Sequence, residues 1–284
     1  MTLPTPPDAL TPAEIAEKTV ATGQRKASLS TGKTLALAFL AGTYIAFGAL
    51  FATTVGAGAT GVLSYGLTRL LMGVAFCIGL ILVILGGAEL FTGNVLIAMA
   101  WASKKVSSLQ LLRNWALVYL GNLAGSLVIA LLIFWGRQYT FGSGAVGTLA
   151  LSIAGSKTHL EPLQAFSLGI LANLLVCLGV WLAYGGRTTA DKVLGILFPV
   201  TAFVAAGLEH SIANMYFIPI GLFIKDFDPA FTAGVVASAG LNLDSLTWVN
   251  FFLVNLLPVT LGNIIGGAVM VGLAYWWIYI RKVQ

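Results

Sequence analysis

Gly86-Gly87-Ala88-Glu89-Leu90-Phe91-Thr92-Gly93-Asn94 lies in the middle of a long, largely apolar run from 68 to 102. As one straight helix that run would measure about 52 Å, against a hydrocarbon thickness of about 30 Å. Paired glycines, an acid and an amide at such depth make a poor helix interior and poor lipid neighbours. The expected solution is an interrupted helix whose loop faces protein or a cavity. The pattern then recurs. Gly87-Ala88-Glu89-Leu90-Phe91-Thr92-Gly93-Asn94 aligns with Gly207-Leu208-Glu209-His210-Ser211-Ile212-Ala213-Asn214, both reading G-x-E-x-x-x-small-N. Val118-Tyr119-Leu120-Gly121-Asn122-Leu123-Ala124-Gly125 likewise matches Val259-Thr260-Leu261-Gly262-Asn263-Ile264-Ile265-Gly266. Two matches in the same order describe two three-helix repeats, 34–135 and 163–280. Three is odd, so the second repeat enters the membrane upside down. Paired broken helices in inverted repeats are a transport architecture, with the solute site at the repeat interface.

Composition supports a bilayer solvent. The chain is 58% apolar and only 9% charged, where a soluble domain carries roughly a quarter charged residues. Residues 34–68, 114–136, 162–186 and 245–280 contain no Asp, Glu, Lys or Arg. The resulting expectation is an all-α membrane protein with six spans: 34–55, 68–102, 112–135, 163–185, 190–222 and 246–280. The second and fifth are broken. A barrel needs alternating segments, and these runs are apolar on every face. With both termini cytoplasmic, eleven Lys and Arg fall inside and only Arg69, Arg137, Lys157 and Lys225 outside. That positive-inside bias fixes the orientation. It also accounts for the net charge of +5 with no nucleic-acid partner.

Residues 1–33 form a polar cytoplasmic segment without the apolar core of a cleavable signal. Thr11, Pro12 and Glu14 read as a capping box with proline in the first turn, opening an amphipathic helix that ends near Gly23. That helix is a surface element or a movable plug. Cys77 and Cys177 lie in apolar stretches and read as small core residues. No metal or other cofactor is expected.

Few polar groups remain at membrane depth. Glu89 and Glu209 occupy equivalent positions, and each is expected to pair with helix-end amides or become protonated. His210 adjoins one break and is the side chain whose charge changes near neutral pH. Thr92, on the other broken helix, offers a hydroxyl across the path. Asn173 is an amide inside an apolar span. His159, in the polar stretch Ser156–His159, reads as a solvated loop residue. Gly121, Gly125, Gly262 and Gly266 fit close helix packing, and the Tyr275–Tyr279 aromatics fit an interfacial anchor.

With these residues in view, the chain resembles the formate/nitrite transporter family. The likeness rests on Gly87–Gly93, Asn114-Trp115 with Gly121-Asn122, Gly207–Met215, and Asn255-Leu256-Leu257-Pro258-Val259-Thr260-Leu261-Gly262-Asn263. It covers residues 12 to 281. The resemblance implies an aquaporin-like protomer of six helices, assembled as a homopentamer in a bacterial-type inner membrane. It implies passage of formate, with nitrite or hydrosulfide as alternatives. It further implies His210 at the pore centre with Thr92 as partner, and constrictions at Leu80, Leu90, Phe91, Val176 and Phe203. Lys157, Asn173, Glu209 and Asn263 would be polar groups of the vestibules and pore. Gly93-Asn94 departs from the small hydroxylated residues expected in the formate branch.

Two other classes fit less well. A water- or glycerol-type pore would carry paired N-P-A helix starts and a pore arginine, which are absent from the sequence. An embedded enzyme would need a nucleophile–base pair or a metal cluster, and one deep histidine offers neither.

Overall fold

A computed structural model describes residues 8–281; Lys282, counted above among the cytoplasmic cations, lies outside them. Besides a short 3-10 turn at Gln138–Thr140, the described residues form twelve helices in order: α1 Pro12–Ala27, α2 Thr31–Gly56, α3 Tyr65–Gly86, α4 Phe91–Asn94, α5 Ile97–Ala102, α6 Ser108–Trp135, α7 Ala145–Thr158, α8 Pro162–Gly185, α9 Thr189–Ala205, α10 Ser211–Phe227, α11 Pro229–Ala239 and α12 Trp248–Tyr279. Among the described residues there is no strand. Five helices (α2, α3, α6, α8 and α12) are long and apolar enough to cross a membrane.

The helices pack in two similar sets. α2 lies between α3 and α6, α8 lies between α9 and α12, and α3 packs on α9 across the middle. Glycines set the closest approaches. A Cβ on Gly125 would collide with the carbonyl oxygen of Phe39 in α2, and one on Gly266 with that of Ile170 in α8. Small residues let the backbones meet. α12 is widened to a π-helix over Phe251–Leu256 and Ile265–Leu273. The first segment leads into Pro258, which has no N–H for the carbonyl four residues back.

α1 carries the expected capping box, with Thr11 N donating to Glu14 Oε2 at 2.7 Å and Glu14 N to Thr11 Oγ1. It continues past Gly23 to Ala27. Gly23 is no terminator because its missing side chain is a contact: a Cβ there would meet Ala100 of α5 at 3.1 Å. α7 and α11 were not foreseen. Ser156, Lys157 and Thr158 are the last turn of α7, with His159 at its C-cap, so the expected polar loop is helical. Its residues Ala145–Gly155 are too short a run, and too small in side chain, to stand out by hydropathy.

Candidate functional site

Both long runs break at a glycine with positive φ. α3 ends where Gly87 takes φ +78°, and α9 ends where Gly207 takes φ +74°, a conformation only glycine adopts at low cost. The turn is the same on both sides. Ala88 N donates to Val83 O at 2.9 Å, and Leu208 N to Phe203 O at 3.0 Å. The chain then runs extended for a few residues before α4 and α10 begin.

Extended backbone at membrane depth must find its hydrogen bonds inside the protein, and two asparagines supply them. Asn122 Nδ2 donates to Ala38 O and Glu89 O at 2.7 and 2.9 Å, while its Oδ1 accepts from Phe91 N at 2.9 Å. Asn263 Nδ2 donates to Gly169 O and Glu209 O at 2.7 and 3.0 Å, while its Oδ1 accepts from Ser211 N at 2.9 Å. Asn173 Nδ2 donates to the carbonyls of Thr92 and Asn263. Asn173 and Asn263 therefore hold the breaks from behind, with their amides spent on backbone.

The carboxylates are met by lysines from neighbouring helices, where the sequence suggested helix-end amides as partners. Glu89 Oε1 lies 3.0 Å from Lys26 Nζ of α1, and Glu209 Oε1 lies 2.6 Å from Lys157 Nζ of α7. Asn94 Nδ2 donates to Glu89 Oε2 at 2.6 Å and to Asn114 Oδ1 at 3.0 Å. Asn214 Nδ2 donates to Glu209 Oε2 and to Asn255 Oδ1, both at 2.7 Å. Asn114 and Asn255 then reach the carbonyls of Lys26 and Lys157. The two networks differ in two places. Asn255 Nδ2 also donates to Glu209 Oε2 at 3.1 Å, a bond Asn114 does not make to Glu89. Lys26 also donates to Asn94 Oδ1 at 2.9 Å, whereas the equivalent Asn214 Oδ1 has no partner among the described residues.

The two breaks are joined by a hydrogen bond between Thr92 Oγ1 and His210 Nε2 at 2.9 Å, with both side chains buried. His210 is the N-cap of α10, its Nδ1 accepting from Ala213 N at 3.0 Å. An Nδ1 that accepts carries no proton, so the neutral ring bears its proton on Nε2 and donates it to Thr92. Thr92 keeps its own hydroxyl proton for another acceptor. Phe203 stacks on the imidazole with ring centroids 5.7 Å apart.

Two cavities border the two breaks. One of about 300 Å³ has Arg69, Lys157, Phe203, Glu209, His210 and Asn214 on its wall. The other, about 370 Å³, is lined by Lys26 of α1, Glu89 of the first break and Tyr184 of α8, among others. It shares Lys26, Ala88 and Tyr184 with a slit of about 20 Å³ between Leu80, Leu90 and Val180. Leu80, Leu90 and Phe203 thus face cavities. Phe91 packs edge-on against Tyr119 and Trp115, and Val176 is buried; neither lines these spaces.

Sequence reasoning missed Lys26 and the asparagines at 94, 114, 214 and 255 as parts of the site. Asn114 and Asn255 stand four residues before the matched V-x-L-G-N-x-x-G segments, so extending the repeat backwards would have found them. Arg69 was counted only as an outside charge. Its guanidinium donates to the carbonyls of Val204 and Ala205, the open end of α9, where a cation offsets the helix dipole.

Helices of membrane-crossing length around two cavities, each bordering one of the joined breaks, describe a helical membrane channel. The sequence pattern of the Formate/nitrite transporter family matches residues 13–277, and the chain belongs to that family. It is 45% identical over 278 residues to the formate channel FocA of Escherichia coli K12, covering 98% of this chain and 97% of the relative. A solved pentameric formate channel with formate bound superposes with TM-score 0.81 at 45% identity, covering 88% of this chain and 98% of that one. A solved ion channel of the same family gives TM-score 0.78 at 32% identity, covering 93% and 98%.

Proposed function

We propose that this protein conducts small monovalent anions across a bacterial inner membrane, with formate the preferred solute and nitrite or hydrosulfide the alternatives. Five copies would assemble, each with its own pore. The crossing elements would be six: α2, α6, α8, α12 and the two broken helices, α3 with α4–α5 and α9 with α10. They would form inverted repeats with both termini inside, placing the Lys26 cavity in the cytoplasm and the Lys157 cavity outside. The paired networks extend the likeness upstream, since Lys26 of α1 and Lys157 of α7 do the same work; each repeat would begin with its short helix.

The observation that carries the reading is the Thr92–His210 contact between two cavities that both bear lysines. Formate, a carboxylate with a pKa of about 4, is almost wholly charged at neutral pH. Moving such an ion into an apolar slit has an idealised cost on the order of 20 kcal/mol. Lysine-lined cavities gather the anion, and the Thr92 hydroxyl, polarised by His210, donates to it where the two breaks meet. If a proton also crosses, His210 can bind it only at Nδ1, which requires release of the Ala213 amide. Proton coupling through His210 would therefore loosen the first turn of α10.

The test is formate flux into sealed proteoliposomes from about pH 5 to pH 8, with nitrite and glycerol compared. His210→Asn keeps size and some hydrogen bonding but does not titrate. It should assemble normally and lose the pH dependence of flux. Retention of both rate and pH profile would reduce His210 to a structural cap, and faster glycerol than formate flux would sink the anion reading.

A further inference from the structure

The Lys26-side cavity is far roomier than a one-carbon anion needs. It encloses about 370 Å³, with Lys18, Arg25, Lys26 and Lys192 on its wall and Glu89 as its single acidic residue. Glu89 is already paired with Lys26. Lys18 donates to the Tyr184 carbonyl at 2.6 Å and Arg25 to the Thr22 hydroxyl at 3.4 Å. Among the described residues, none of Lys18, Arg25 and Lys192 forms an ion pair. The nearby acids are engaged elsewhere, Glu14 with Thr11 and Asp191 with the amides of Arg187 and Thr188. Burial, with Lys192 and Arg187 as like-charged neighbours, holds the Lys18 ammonium below the usual lysine range.

Three cations on one cavity wall have no counter-charge, Lys18 and Lys192 repel each other, and a monovalent anion offsets only one of them. Several charges and several acceptor oxygens on one compact group match the set better, as phosphates match lysine and arginine clusters. We propose that this cavity binds a phosphate-type polyanion, either free or as a lipid headgroup, that bridges α1 to the start of α9 and closes the mouth. The slit beyond it, about 20 Å³ between Leu80 and Leu90, does not admit such a group. Because cavity and slit share Lys26, Ala88 and Tyr184, occupancy blocks passage. The polyanion is an inhibitor and not a cargo.

The full-length protein is tested with tripolyphosphate at about 1 mM against sodium chloride of equal ionic strength, because salt alone screens exposed cations. In detergent, tripolyphosphate should raise the unfolding temperature by a few degrees, as any ligand of the folded state does. In phosphatidylcholine vesicles, with probe on both faces, it should cut formate flux by about twofold or more. The thermal reading does not depend on which anion the pore carries. Lys18→Gln/Arg25→Gln/Lys192→Gln should abolish both effects, and Arg25→Gln alone should weaken them. Lys104→Gln/Lys105→Gln, which alters cytoplasmic charge away from the cavity, should keep them. If cardiolipin-containing vesicles, whose headgroup carries two phosphates, alone slow the wild type but not the triple variant, a headgroup is the occupant. Equal effects of sodium chloride, an undiminished effect in the triple variant, or no response in either reading would overturn the proposal.

Discussion

Removing Lys157 and removing the whole Lys157–Glu209 pair should have different consequences. Lys157→Met would leave a carboxylate buried without its cation, a defect that typically costs about 3 kcal/mol or more. Lys157→Met combined with Glu209→Gln removes both charges, and the amide can still bond to Asn214 and Asn255. Unfolding temperatures in detergent should fall clearly for the single variant and recover most of the way in the double. If the double is as unstable as the single, the lysine stabilises by some means other than its charge. At this scale much was legible. An acid, a histidine or a threonine in an apolar run stands out, so Glu89, Glu209, His210 and Thr92 were found. Lys26 was not, because it follows Arg25 in a polar segment where a cation is ordinary. Only the fold reveals that its ammonium reaches Glu89. Asn173 and Asn263 were found as polar and deep, yet sequence could not tell a pore-facing amide from one that bonds backbone.

Two glycines separate conformational strain from packing. Gly87 has φ +78° and open space where a Cβ would stand, so Gly87→Ala should cost only the left-handed backbone penalty of about 1–2 kcal/mol. Gly125 is ordinary helix, but a Cβ there would strike the Phe39 carbonyl, so Gly125→Ala must push α2 and α6 apart. Overpacking costs typically 1–3 kcal/mol, occasionally more, and here the obstacle is backbone, which cannot rotate away. Denaturant titration should therefore rank Gly125→Ala as the more damaging, and the reverse order would contradict the packing assigned to α2 and α6. The breaks themselves were legible because their runs exceed the bilayer and carry glycine and acid at the middle. α7 and α11 were not, since 14 and 11 residues of mostly small side chains give neither span length nor a clear amphipathic period.

For the whole molecule, five-fold assembly predicts a protein mass in mild detergent of five times the 29.7 kDa of one chain, and a stable monomer or trimer would refute it. No subunit number can be read from one chain's hydropathy, since a face turned to lipid and a face turned to a second copy are both apolar. The Lys26–Glu89 pair also fixes how often the amino-terminal helix can be away from its seat. Lifting α1 would strand Glu89 without its ammonium at a cost of about 3 kcal/mol, before any lost contact with α5 is counted. By the Boltzmann relation the lifted form would occupy roughly one molecule in a hundred at equilibrium. Any plug built on this helix is therefore shut as its resting condition, and a signal that opens it has to supply Glu89 with another partner for its charge.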